Sequence, residues 1–312
     1  MWLCLLQKNK AIIIAGPTAS GKSGLGLEVA KQLGGVIINA DSLQVYNGLP
    51  ILTAQPLPQE RERIPHRLYG ALAPDDLCNA QRWQKLALQE MEMAAKEKKT
   101  PIILGGTGLY IKALVSGFSP IPETGPEIRI HLTQMIASVG NTAFHQKLAE
   151  VDPVSAEKIP VGNTQRLIRA MEVFESSGKP LSFWHAQAPV PVVGWHFHVV
   201  TLMSPRDVLY SRCDQRFGQM IELGVLEEVK KFENENPNPC ALKSALGYKP
   251  LLDYLKGALT RQEAIKQSQQ DTRNYAKRQV TWFRHQLKSD LVLEQVTADS
   301  VRTIYQSFQS CV

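Results

Sequence analysis

Lys10-Ala-Ile-Ile-Ile-Ala15, running directly into Gly16-Pro-Thr-Ala-Ser-Gly21-Lys22-Ser23, decides the fold. Three isoleucines in succession, at 12, 13 and 14, read as a strand buried on both faces. The next eight residues have the form G-x-x-x-x-G-K-S. A helix then follows from about Gly21 to the Gly34–Gly35 pair, a normal helix stop. Strand, glycine-rich turn and helix in that order form the context that this motif requires. The backbone N–H groups of the turn and the helix N-terminus make a cradle for a diphosphate. Gly16, Pro17, Thr18, Ala19, Ser20, Gly21, Lys22 and Ser23 are therefore candidate diphosphate-binding residues. Lys22 adds a cation, and the Ser23 hydroxyl is placed to ligate Mg²⁺. The motif specifies a diphosphate but not its carrier, which is ATP or another diphosphate ester.

Beyond the loop, Val36–Ala40 reads as a second strand ending at Asp41. A helix capped by Asn79 runs to Lys99. Pro101 opens a third strand, Ile102–Leu104, and Gly105-Gly106-Thr107 ends it and caps another helix. Alternating strands and helices indicate a parallel sheet. Pro120, Pro122 and Pro126 break the pattern. From there to Gly178 only helices are legible, the clearest from Asn163 to Ser177 with Leu167, Ile168, Ala170, Met171 and Phe174 as its apolar face. Trp195–Met203 returns to strand, and Ser204-Pro205 opens a helix with Ser as cap. The expected fold is thus a P-loop NTPase-like α/β core, 1–122 and 195–312, carrying a helical insertion at 123–194. Thr260-Arg-Gln-Glu263 is a capping box opening a last long helix. Ile265, Gln269, Thr272, Tyr275, Ala276, Gln279, Val280, Phe283 and Leu287 form one stripe on it. Arg273, Lys277, Arg284 and Lys288 form another.

The chain has 312 residues, 44% of them hydrophobic, which excludes a largely disordered protein. No apolar run approaches the ~18–20 residues that span a bilayer. The short run Trp2–Leu6 lacks the basic flank and cleavage site of a signal peptide. The expectation is a soluble, cytoplasmic protein. Cys4, Cys78, Cys213, Cys240 and Cys311 are scattered and form no C-x-x-C pair, against a disulfide framework or a cysteine-type zinc site. His196 and His198 fall on one face of a strand and lack partners for a metal. The net charge is +6, and residues 261–290 carry seven Lys/Arg against three Asp/Glu, while 123–194 carries six against seven. That basic stripe suits a polyanion or a solvated helix face.

Asp41 and Thr107 both follow strands, at the edge where α/β sheets build their sites. Asp41 suits a general base, a metal ligand or a turn carboxylate. Thr107 suits a hydrogen-bond donor and an N-cap. Arg212 and Arg216 share one helix face, where a guanidinium aimed at the glycine-rich loop would hold developing diphosphate charge.

These pieces together resemble the bacterial tRNA dimethylallyltransferase (tRNA isopentenyltransferase) family over about residues 10–288. The resemblance rests on GPTASGKS at 16–23, ADSLQVY at 40–46, TAQP at 53–56, GGTGLYIKAL at 105–114, NTQRLIRAMEV at 163–173, SGKPLS at 177–182, ALGYKPL at 245–251 and TRNYAKRQVTWFR at 272–284. It implies transfer of a dimethylallyl group from dimethylallyl diphosphate to N6 of the adenosine just 3′ of the tRNA anticodon, with diphosphate leaving. It also implies that the adenine is flipped out of the anticodon loop, that Mg²⁺ assists, and that the chain acts as a monomer.

Carried over, Asp41 is the acceptor at the adenine N6, and Thr107 and Arg216 stabilise the diphosphate. Segments resembling the family's tRNA contacts are Asp41, Ser42, Leu43 and Gln44; Arg129; Gln165, Arg166, Leu167, Ile168 and Arg169; and Lys243, Ser244, Ala245, Leu246, Gly247 and Tyr248. Arg273, Lys277 and Arg278 join them on the basic helix. The insertion would grip the anticodon stem. Three positions depart from the family pattern: Leu52, Gln55 and Gly70. Rival readings are an adenylate isopentenyltransferase acting on AMP or ATP, a P-loop small-molecule kinase and a nucleotide-regulated RNA-binding protein. The helical insertion and basic helix argue against the first two.

Overall fold

A computed structural model of the chain describes residues 9–310. The Trp2–Leu6 run, Cys4 and Cys311 lie outside them. The described residues divide into two compact units, one comprising residues up to 115 and from 193 onward, the other 116–192. The expected insertion boundaries of 123 and 194 lie seven and two residues beyond those of the second unit.

In the first unit, β1 (Asn9–Ala15) leads through the glycine-rich turn to α1 (Lys22–Leu33) and β2 (Val36–Asn39). Then come α2 (Pro58–Arg63), β3 (His66–Arg67), α3 (Ala80–Lys96), β4 (Pro101–Gly105) and α4 (Gly108–Ser116). The second unit holds α5 (Pro126–Val151), α6 (Pro153–Lys158), α7 (Thr164–Ser177) and α8 (Leu181–Ala186). The chain returns to the first unit with β5 (Trp195–Leu202), α9 (Arg206–Glu222), α10 (Val225–Glu235) and α11 (Tyr248–Leu255). It ends with α12 (Arg261–Gln286), β6 (Leu291–Leu293) and α13 (Ser300–Ser310).

One parallel six-stranded sheet, in the order β3-β2-β4-β1-β5-β6, confirms the α/β fold. β1 is central: Ile13 pairs with Ile103 on one side and Val199 on the other, and the isoleucine triplet is fully buried. Ile12, Ile14, Ile37 and Val200 pack on Leu25 and Val29 of α1 and on Ile304 and Phe308 of α13. A second core joins Val45, Tyr46 and Leu49 to Phe217 of α9, Phe232 of α10 and Tyr248 of α11. The helical unit has its own core, built from Leu132, Phe144, Leu148, Leu167 and Met171. Its α5 is broken at Gly140, whose φ is +77°.

The caps expected at Asn79 and Thr260 hold, and Asn163, read only as a helix start, caps as well. Asn79 accepts from Arg82 N–H, Asn163 from Arg166 N–H, and Thr260 and Glu263 form the reciprocal box. Ser204 is a correction. α9 begins after Pro205, and the buried Ser204 hydroxyl has no hydrogen-bond partner among the described residues, so it does not cap. Two further strands, β3 and β6, and the helices α2, α8, α10, α11 and α13 were not read from the sequence. β3 and β6 span only two and three residues and carry no usable periodicity. No helix among the described residues is long and apolar enough to cross a membrane.

Candidate active site

The glycine-rich turn, the end of β2 and the inner faces of α9 and α12 surround one cavity of about 660 Å³. Thr18, Lys22 and Ser23 line it from the loop, Asp41–Gln44 from the turn after β2, Arg212 and Arg216 from α9, and Tyr275, Arg278 and Gln279 from α12. Leu52, Phe217, Met220 and Leu246 give it an apolar wall.

The loop is held from three directions. Arg216 Nη2 donates to Thr18 Oγ1 at 2.6 Å, and Arg212 Nη1 reaches Ser20 O at 3.4 Å. Gln279 Oε1 accepts from Thr18 N–H at 2.8 Å. Both arginines thus point at the loop, as their spacing on one helix face suggested. Lys22 Nζ donates to Pro17 O at 3.2 Å. Burial pulls the Lys22 ammonium down from 10.5 to about 8, against the opposing pull of Asp41; Arg216 lowers it further. Burial also lowers Arg216. The mouth of the loop therefore gathers cations in a partly dehydrated space, an arrangement that an anion relieves. Ser20 Oγ, fully buried, has no hydrogen-bond partner among the described residues.

Asp41 serves a turn with one oxygen and leaves the other available. Its Oδ1 accepts from Leu43 N–H at 3.0 Å and Gln44 N–H at 3.3 Å. Oδ2 has no hydrogen bond among the described residues, and Asp41 lines the cavity. The turn is fixed from beneath by Asn39, fully buried, whose side chain bonds Asp41 N–H, Asp41 O and Leu68 O. Sequence reading passed over Asn39, because a lone asparagine at a strand end carries no motif.

Thr107 was expected to start α4 as a cap and to help hold diphosphate. It directly precedes α4, and its carbonyl accepts from Ile111 N–H at 3.3 Å; its hydroxyl accepts from Ser42 N–H at 2.9 Å and lies 3.3 Å from Ser42 Oγ. It stands behind Ser42 and is not among the residues lining the cavity. The glycines around it allow a close approach of α12. A Cβ on Gly106 would lie 2.6 Å from Gln279 Nε2, and one on Gly108 would lie 2.3 Å from the Trp282 ring.

Several expected RNA contacts have other duties. Leu167 and Ile168 are core residues of the helical unit, and Ala245 and Tyr248 are buried in the second core. Their side chains are largely buried in those cores, although Ala245 also lines the cavity. Lys243 is paired with Glu233 at 2.8 Å, Arg273 with Asp214, and Arg129 and Arg169 with the buried Glu172. Gln165, Arg166, Ser244, Lys277 and Arg278 are exposed, and Gly247, with φ +90°, turns the chain into α11. Lys277, Arg278 and Trp282 also line a shallow surface pocket along α12. Of the departures, Leu52 packs into the second core, and Gln55 lies beside Gly70, where a Cβ would come within 3.4 Å of Gln55 Oε1. Gln55 also donates to Tyr46 O at 2.8 Å, so it has become part of the turn.

A family model described as IPP transferase matches residues 44–286. The chain belongs to the IPP transferase family. Among its relatives, the tRNA dimethylallyltransferase of Paramagnetospirillum magneticum is 45% identical over 297 residues, covering 95% of this chain and 94% of that one. The protein of the same name from Rhodospirillum centenum is 44% identical over 279 residues, covering 88% of each. The crystal structure of the full-length tRNA isopentenylpyrophosphate transferase of Bacillus halodurans is 33% identical, with TM-score 0.69 and 97% of both chains covered. A structure of a eukaryotic dimethylallyltransferase acting on tRNA is 29% identical, with TM-score 0.76, covering 88% of this chain and 70% of that one. The Bacillus halodurans enzyme thus shares this chain's fold over nearly its whole length.

Proposed function

We propose that this chain is a tRNA dimethylallyltransferase, moving the dimethylallyl group of dimethylallyl diphosphate onto N6 of the adenosine 3′ to the anticodon. One observation carries the chemistry: the cationic glycine-rich loop and the available Oδ2 of Asp41 line the same cavity. The loop amides, Lys22 and Arg216 take the diphosphate. The wall of Leu52, Phe217, Met220 and Leu246 suits a small branched hydrocarbon better than a ribose.

In the reaction the N6 lone pair attacks the terminal allylic carbon, the carbon–oxygen bond to diphosphate breaks, and its electrons leave with the diphosphate. The N6 proton passes to Asp41 Oδ2 or to solvent. Because an allylic centre tolerates positive charge, stabilising the leaving group does more than a strong base would. Asp41 therefore orients the amine as much as it accepts the proton. Ser23, exposed beside Lys22, offers a hard oxygen of the kind Mg²⁺ takes alongside water and substrate phosphate oxygens. When bound, Mg²⁺ supplies further neutralisation of the diphosphate. The exposed cations on α12 and Arg166 suit the tRNA backbone. A tRNA substrate suits action in the cytoplasm, and the family resemblance suits a monomer.

Presenting labelled dimethylallyl diphosphate with unmodified tRNA, and separately with AMP, tests the substrate. Label in tRNA alone is expected. Label in AMP would move the chain to the nucleotide-prenylating relatives.

A further inference from the structure

Among the α12 side chains that line the cavity, Gln279 is the one that hydrogen-bonds the glycine-rich loop. Gln279 is buried, and its carboxamide spans two backbone segments. Oε1 accepts from Thr18 N–H, and Nε2 donates to Gly106 O, each at 2.8 Å. These segments are the glycine-rich turn after β1 and the glycine turn after β4. Thr18 is also the residue whose hydroxyl receives the Arg216 guanidinium. Gly106 lacks a Cβ where one would lie 2.6 Å from Gln279 Nε2 and 3.2 Å from Gly16 O. The carboxamide therefore consumes one loop amide that an anion would otherwise draw on, and fixes how the rest of the loop faces the cavity.

We infer that Gln279 is a positioning residue for the diphosphate: it locks Thr18 so that Arg216 and the remaining loop amides converge on one anion. This rests on the reading of the loop as the diphosphate site. Apolar residues cannot replace it, because both the Thr18 N–H and the Gly106 carbonyl would lose their partners. A carboxylic acid can, but only when protonated. In the Gln279→Glu variant a neutral carboxyl would offer C=O to Thr18 and O–H to Gly106. An ionised carboxylate there would turn an oxygen against the Gly106 carbonyl. The charged groups sharing the cavity with this position are Lys22 of α1, Asp41 after β2, Arg212 and Arg216 of α9 and Arg278 of α12.

The test compares wild type, Gln279→Leu and Gln279→Glu in steady-state transfer from dimethylallyl diphosphate to tRNA at several pH values, each rate taken as a ratio to wild type at the same pH. For Gln279→Leu, KM for the prenyl diphosphate is expected to rise by about tenfold or more, for the loss of one buried amide's partner, while KM for tRNA stays within about twofold. For Gln279→Glu, the ratio to wild type is expected to recover as pH falls from 8 to 6, and the Leu variant shows no such recovery. Two results overturn the inference. One is both variants within about twofold of wild type at every pH. The other is equal losses in both KM values and in melting temperature without recovery at low pH, which marks packing alone. Wild-type protein that neither transfers the label nor binds the prenyl diphosphate would instead sink the reading of the loop.

Discussion

Arg216 of α9 donates a 2.6 Å hydrogen bond to the hydroxyl of Thr18, 198 residues earlier in the chain, and no carboxylate forms an ion pair with it among the described residues. A guanidinium parked on a neutral hydroxyl at the rim of an anion cradle is ready for a phosphate oxygen. Arg216→Ala is expected to lower kcat/KM for transfer by about 10²–10³-fold, the scale of losing one preorganised donor at a developing charge. Arg216→Lys is expected to restore little, because an ammonium cannot hold Thr18 and a phosphate in one plane. Steady-state transfer assays check both.

Lys22 makes the site costly to the fold. Its folded value, about 8, lies below the 10.5 of the free side chain, so the charged form is disfavoured in the folded state. That cost is present below pH 8 and fades as pH rises from there toward 10.5. Lys22→Met is therefore expected to raise the melting temperature at pH 7 while abolishing transfer. For the wild type, inorganic pyrophosphate is expected to bind more weakly as pH rises through 8, where the free protein loses the Lys22 charge. Calorimetric titration from pH 7 to 9 reads this directly.

Glu228 of α10 holds the loop that brings Leu52 to the cavity's apolar wall. Its two oxygens accept from Ile51 N–H at 2.7 Å and Leu52 N–H at 2.8 Å, beside Ala54 at φ +55°. Burial pushes its carboxyl up, while those two N–H groups pull it down. Glu228→Ala leaves both amides without acceptors and is expected to cost about 1–3 kcal/mol. Urea denaturation measures it, and KM for the prenyl substrate is expected to rise in parallel.

Gly108 and Trp282 form a contact that one methyl group would break. Gly108→Ala brings a Cβ to within 2.3 Å of the indole and is expected to destabilise by about 1–3 kcal/mol through overpacking. Trp282→Ala makes the room, so the double variant is expected to be more stable than the sum of the single changes. A double-mutant cycle on thermal melts reads that coupling.

The sheet core was legible because its central strands are continuous apolar runs between turn glycines, and Ile12–Ile14 admits no other reading. The loop was legible because its spacing is dictated by phosphate geometry. Other duties were not. Gln279 fell on the apolar stripe of α12, but it is buried for its hydrogen bonds, a duty that helical periodicity does not distinguish from packing. Leu167 and Ile168 read as the apolar face of their helix and are buried there, yet they and Tyr248 also fall within segments resembling RNA contacts, because every such segment on a helix also carries its core face. Thr107 shows the same limit: its position after a strand was right, but its partner is Ser42, 65 residues away.

Asp41 and the glycine-rich loop share one cavity, and the reaction assigned to them is tested most directly by locating the product. Wild type and Asp41→Ala are each incubated with labelled dimethylallyl diphosphate and an unmodified tRNA, and the tRNA is digested and its labelled nucleoside placed in the sequence. The expected result is label on the single adenosine 3′ to the anticodon with wild type, and strong loss of it with Asp41→Ala. Label absent from tRNA while ATP is hydrolysed, or label undiminished in the variant, would contradict the account.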